Sequence, residues 1–182
     1  MARWLFVVAL ILSPSAFSTG CDWHSRVNKL SDSEFSHYYA LKPFMDEDTQ
    51  KAYLKLKTED ERNKYLKDKG LWQRFYKYPD NMRQAIVDGA VQVGWTKDMV
   101  LMSWGAPYDK RKLAGRPAPR SEMLVYKFEK HEDGTILVYV PNSKTEYKAI
   151  DRFTREVILD TSPSDPRDMV VAEITEEPGW GN

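Results

Sequence analysis

The sequence predicts an α+β fold in which short N-terminal helices pack on a three- to four-stranded antiparallel β-meander. Three observations predict it. Helix-capping signals recur before residue 107, the apolar period changes from helical to two after residue 121, and Asp133-Gly134 marks a hairpin turn between alternating runs. With 182 residues, 42% of them hydrophobic, the chain holds material for one packed core. A single domain is expected over 31–160, mainly helical over 31–107 and a meander over 121–160.

The helical part is read from its punctuation. Ser31 with Glu34 is a capping box that opens a helix through about Leu41, and Pro43 stops it. Asp46, Glu47 and Asp48 lie where the positive end of a second helix would be, with Tyr53 and Leu54 as its apolar content. Thr58 with Glu61 is another capping box. Behind it Tyr65, Leu66, Leu71, Trp72, Phe75 and Tyr76 recur at helical spacing across Gly70, a stripe that reads as core. Asp80 is expected to cap a helix holding Met82, Ile86 and Val87 and ending near Gly89.

The best-punctuated stretch runs from Gly94 to Pro107. Thr96 caps a two-turn helix and Asp98 favours its positive end. Val100, Leu101 and Trp104 share one face, Gly105 suits a left-handed end and Pro107 prevents continuation. Gly89 to Thr96 mimics a phosphate loop, but Trp95 stands where that loop requires a lysine, so the motif fails on its chemistry.

Residues 108–120 read as a basic loop carrying Lys110, Arg111, Lys112, Arg116 and Arg120 against one acid, Asp109. Leu124, Tyr126 and Phe128 then alternate, as do Ile136, Val138 and Val140 after the turn; Pro141-Asn142-Ser143 ends that strand. Tyr147 to Ile150 and Phe153 to Leu159 give one or two more. Prolines, acids and glycines dominate 161–182, which is expected to form a flexible tail with Trp180 near a frayed end.

Composition excludes several classes of function. The 27 basic and 27 acidic residues cancel, leaving no field for a nucleic-acid backbone. One cysteine rules out an intramolecular disulfide and a cysteine-rich metal site. His24, His37 and His131 fall in spacer, helix and turn without metal-ligand spacing, and are expected to be solvated. Neither a metal nor a cofactor is expected. Acid pairs such as those in Glu59-Asp60-Glu61 serve a helix start, and no serine sits in a nucleophile elbow.

The N-terminus carries an address. Arg3 precedes an apolar run from Trp4 to Leu12, and small residues lead from Ser13 to Gly20 and Cys21. As a helix that run would rise about 14 Å, roughly half a bilayer core, so it reads as a signal peptide and not an anchor. Cys21 directly after Ser18-Thr19-Gly20 resembles a bacterial lipobox, with Ser18 where that pattern usually has Leu. The resemblance implies cleavage before Cys21, which becomes the lipidated first residue, and a spacer over 21–30. The alternative is a secreted chain with an unrelated free thiol. Three acyl chains would hold firmly where one holds marginally. The expected place is the outer membrane facing the periplasm; Asp22 resembles an inner-membrane retention signal and keeps that membrane open.

Two further resemblances follow from the motifs. Gly94, Trp95, Thr96, Val100, Gly105 and Pro107, followed by a variable segment and strands, resemble the SmpA/OmlA (BamE-like) outer-membrane assembly lipoproteins. Leu56, Thr58, Glu59, Glu61, Arg62, Leu66, Trp72 and Arg74, with Gly94-Trp95-Thr96-Lys97-Asp98 as an imperfect copy of the hallmark, resemble the GWxTD-type domain of secreted bacterial proteins. The first implies a non-catalytic scaffold or assembly factor in contact with envelope protein partners, among them an outer-membrane assembly complex, and with lipid head groups. Such a factor should expose an apolar or aromatic patch beyond its core. The alternative is a module that binds anionic head groups or a cell-wall polymer through Lys110, Arg111, Lys112, Arg116 and Arg120.

Overall fold

The structure is a computed structural model that describes residues 25–141 and 149–180. The N-terminal apolar run, Cys21, Asp22, His24 and Tyr147 lie outside the described residues.

Helices come first, and the caps read from sequence set most of their ends. α1 (Asp32–Leu41) opens on a reciprocal capping box, with Ser31 Oγ accepting from Glu34 N–H and Glu34 Oε2 accepting from Ser31 N–H. A 3₁₀ turn at Lys42–Phe44 ends it at Pro43. α2 (Glu47–Lys55) starts at Asp46, whose carboxylate accepts from Thr49 N–H at 2.7 Å. α3 (Glu59–Asp68) has the Thr58–Glu61 box. The aromatic stripe then breaks at Gly70, φ +67°, into the short α4 (Trp72–Tyr76). α5 (Asp80–Val87) has Pro79 at its N-cap, so Asp80 acts on the helix dipole from inside the first turn and not as the cap. α6 (Lys97–Trp104) is capped by Thr96 and stopped by Gly105 at φ +77°. Its buried side is Met99, Val100, Met102 and Trp104, with Leu101 only partly covered.

The sheet has five antiparallel strands: β1 (Asp109–Leu113), β2 (Ser121–His131), β3 (Ile136–Val138), β4 (Ala149–Thr161) and β5 (Met169–Pro178). β4 pairs with β2 along its whole length, so β1 and β3 lie end to end on the opposite edge of β2, against 121–125 and 128–130. β5 closes the other side of β4.

Four expectations change here. The order is not a simple meander, because β4 crosses to the far edge of β2 in place of pairing with β3. The basic loop is a strand over Asp109–Leu113; both of its faces carry charge, so its burial alternates too little to register as a period of two. The flexible tail is instead β5: Val171 and Ile174 turn to the helices while the glutamates occupy solvent-facing positions of a sheet edge. The spacer also gives up residues at its end, since Val27 is buried in the core and Leu30 packs against it.

One hydrophobic cluster joins both layers. Leu124, Tyr126, Phe128, Phe153, Val157, Leu159 and Val171 face Leu41, Met45, Tyr53, Leu66, Phe75, Ile86, Val100 and Trp104. Trp104 is fixed at the centre: its Nε1 donates to Gly89 O at 2.9 Å and its ring meets Tyr126 and Phe128 edge-on.

Candidate functional site

Among the described residues no helix covers the sheet's second face, and one end of it gathers aromatic rings and cations. Side chains alternate along β2, so Leu124, Tyr126 and Phe128 enter the core while Lys127 stands on the opposite face. Tyr108 and Tyr139 meet β2 where β1 begins and β3 ends, donating their backbone N–H groups to Val125 O and Lys127 O at 2.8 and 2.7 Å. Trp180 arrives from the far side. Gly179, at φ +78°, donates to Arg152 O and turns the chain back, and Trp180 Nε1 donates to Phe128 O at 3.0 Å.

The result is a row of rings held by cations. Lys127 Nζ lies 3.8 Å from the Tyr108 ring centroid and 4.7 Å from that of Trp180. Tyr139 packs on Trp180 at 4.5 Å, and the Arg152 guanidinium lies 5.1 Å from the same ring. Arg152 is held in turn by Glu129 at 3.1 Å. Exposed aliphatic side chains stand at the same end of the sheet, Leu137 on the face of Tyr139, Ile136 and Val140 on the opposite face, and Ile150 at the bulge in β4. Tyr108 is 49% exposed and Val140 59%, values that core residues do not reach.

The basic residues read from sequence are placed differently. Arg116 makes a bidentate pair with Asp160, at 2.9 and 2.8 Å, and Asp160 also accepts from Ser121 Oγ. Asp160 is held below the usual carboxylate range, chiefly by that Arg116 bond. Lys110 reaches Glu122 at 3.1 Å, Arg111 reaches Asp109 at 2.8 Å, and Arg120 donates to Pro166 O. Lys112 is exposed on the β1 edge. The five therefore form no shared concave site: they are spread along an edge strand and a turn, four of them with acceptors in this chain.

Gly94, Trp95, Thr96, Val100, Gly105 and Pro107 come together as a structural unit. Gly94 N–H donates to Val171 O and Val171 N–H to Trp95 O, both at 2.8 Å, while Thr96 bridges Val170 and caps α6. Trp95 and Val100 are buried and Pro107 is partly covered. The strip seats α6 against β5.

A buried polar cluster was invisible in sequence. Glu34 and Arg62 form an ion pair inside the helical layer, and Arg62 Nη2 also donates to Leu56 O at 2.6 Å. Burial raises the Glu34 pKa, but the Ser31 N–H and the Arg62 guanidinium outweigh it and hold the carboxyl below its ordinary value. His37 is buried, not solvated: its Nε2 lies 2.7 Å from Tyr76 Oη, among Trp72, Phe75 and Tyr76. Burial pushes its pKa down, against the Glu34 charge. His131 is buried as well. The contacts explain why: long-range partners such as Glu34–Arg62 leave no local pattern.

Beside the start of α6 lies a cleft of about 260 Å³ lined by residues that include Lys77, Lys97, Asp98, Arg120 and Arg167. Most of these groups are already engaged, Lys97 with Glu122, Asp98 with Arg74 and Arg167 with Asp165. Among the described residues no group of three His, Cys, Asp or Glu side chains could hold a metal ion, and no helix is long and apolar enough to cross a membrane.

An α+β two-layer domain with one open sheet face and an aromatic–cationic end is thus the class that the fold defines. No family model, curated protein or solved structure matches this chain.

Proposed function

We propose that the chain is a non-catalytic envelope lipoprotein, tethered through acylated Cys21, that works as an assembly or scaffold factor and engages a protein partner through the exposed end of its sheet. The observation that carries this reading is the row of Tyr108, Tyr139 and Trp180 with exposed Leu137 on the same face. Aromatic rings and arginine are the side chains on which interfaces draw most of their affinity, and a core cannot use rings that point outward. Packing argues the same way: Lys127 and Arg152 hold Trp180 in place before any partner arrives, which lowers the ordering cost of binding.

The tether at Cys21 and the aromatic end of the sheet act independently and are read out separately. A C-terminally tagged chain extracted in mild detergent should co-purify with an envelope protein in near-stoichiometric amount, and Cys21→Ser should release the chain from the membrane fraction. Membrane association that survives Cys21→Ser would remove the lipoprotein reading. Recovery of the tagged chain alone would remove the stable-scaffold reading.

A further inference from the structure

The two margins of the sheet are matched to each other. β1 carries Lys110, Arg111 and Lys112 against one acid, while β5 carries Glu173, Glu176 and Glu177 and no cation. Strand β5 is covered at Val170 and Val171 by residues 94–96, but from Glu173 onward its outer edge is unpaired among the described residues. We propose that these margins join in solution, the β1 edge of one copy adding to the β5 edge of the next, so that the protein assembles head to tail through a continuous sheet. This inference is independent of the partner face proposed above.

Geometry supports the match in three ways. Direction comes first: each neighbouring pair in the order β1-β2-β4-β5 is antiparallel, so β1 and β5 run opposite ways. A second copy set beside the first without inversion therefore presents β5 antiparallel to β1.

Backbone polarity comes second. Gly179 N–H donates to Arg152 O, and backbone groups alternate along an antiparallel pair, so Thr175 and Glu177 bond inward to β4 while Ile174 and Glu176 point out. On the other margin the Thr161 N–H bond to Arg120 O fixes the alternation on β2, which leaves Lys110 and Lys112 of β1 pointing out.

Side-chain faces come third. Lys112 lies opposite Glu122 and Glu176 opposite Arg155, both on the helix-bearing side, whereas Arg111 and Glu177 lie on the open side. Placing Lys112 against Glu176 lets both outward backbone groups bond and keeps the helices of both copies on one side. The same register sets Arg111 against Glu177. It places Pro178 against Lys110, where the missing N–H ends the ladder.

Charge excludes the competing pairings. Two β1 edges would oppose lysine and arginine, and two β5 edges would oppose glutamates; like charges directly across a strand pair repel. The charges that protect each edge from its own kind thus direct it to the other. Because the contact is heterologous, it builds rows unless the rotation between copies closes a ring.

Sedimentation velocity of the full chain in detergent tests this. The wild type should form larger species as concentration rises at low salt and lose them at high salt, since charges act over about 30 Å at 0.01 M but about 3 Å at 1 M. Arg111→Glu/Lys112→Glu and Glu176→Lys/Glu177→Lys should each sediment only as the monomer. An equimolar mixture of the two should recover the larger species, because each variant then offers the edge that the other lacks. Circular dichroism confirms that each variant is folded, and the wild-type salt series stands without either. A wild type that stays monomeric throughout, folded variants that associate as the wild type does, or a folded mixture that stays monomeric would each overturn the proposal.

Discussion

Gly94 and Val171 are joined across 77 positions of sequence: the glycine N–H donates to the valine carbonyl at 2.8 Å, and the valine N–H returns the bond to Trp95 O. The strip that punctuates α6 thereby pairs with the strand that ends the sheet. With Ile174 and Met169 packed on the same cluster, β5 is part of the core.

Truncating the chain after Thr161 should therefore unfold it or nearly so. Each buried Val or Ile contributes about 1.5–3 kcal/mol, and the deletion removes Val171 and Ile174 together with the cover over Trp95. Urea unfolding of the truncated chain should show no cooperative transition, or one lowered by about 3–6 kcal/mol. A transition at the wild-type midpoint would mean that β5 does not support the core.

The Glu34–Arg62 pair predicts an asymmetry between single and double replacement. Arg62→Ala leaves Glu34 buried without its cation, a situation that costs about 3–5 kcal/mol. Glu34→Gln with Arg62→Met removes both charges and should recover most of that loss. Chemical denaturation of the three chains checks it, and a double variant no more stable than Arg62→Ala would show that the cost is lost packing.

What was legible in the sequence was local. Ser31, Thr58 and Thr96 announce helix starts because a side-chain oxygen must meet a backbone N–H three residues on, and the structure has all three caps. The α+β class followed from these caps together with the alternation of Leu124, Tyr126 and Phe128. β1 escaped because an edge strand needs no apolar face, and β5 because its few apolar residues are interrupted by glutamates. The candidate face escaped almost entirely. Tyr108, Lys127 and Trp180 meet only because β1, β2 and the chain after β5 converge, and nothing within a few residues of each records that. Trp180 was visible as a tail residue; Gly179 beside it was the one local hint that the chain turns back.

Acid should weaken the fold through His37 before it reaches the carboxylates. Burial keeps the His37 pKa below the ordinary value of about 6.5, so the unfolded chain binds the proton first. The stability that neutral His37 contributes is complete above about pH 6.5 and is lost as pH falls toward the folded pKa. Glu34 acts in a lower window: its depressed pKa contributes stability above the ordinary carboxylate value, and that is lost as pH falls through the folded one. Thermal midpoints between pH 7.5 and 5 should decline in the wild type and decline less in His37→Phe. Parallel curves would assign the slope to another group.

The basic residues should matter for stability more than for lipid. Arg116 is tied to Asp160 and Lys110 to Glu122, so Arg116→Ala should lower the unfolding midpoint measurably, while exposed Lys112→Ala should leave it where it is in the wild type. With the lipid tether removed by Cys21→Ser, replacing Lys110, Arg111 and Arg116 together by alanine should leave flotation with anionic vesicles unchanged. Lost vesicle binding in a folded triple variant would restore the head-group reading.

Tyr108 and Leu137 provide the cleanest separation of surface from core. Both are exposed on the described structure, so Tyr108→Ser with Leu137→Ser removes little buried area and should move the unfolding free energy by no more than about 1 kcal/mol. Trp180→Ala goes further, because it also releases Lys127 and Arg152 from the ring, and exposed cation–π contacts are worth about 0.5–1 kcal/mol each. If this end of the sheet is where the partner docks, all three replacements should sharply reduce the co-purifying protein while the far-ultraviolet dichroism stays that of the wild type. Equal recovery from the wild type and the folded variants would place the contact elsewhere on the molecule.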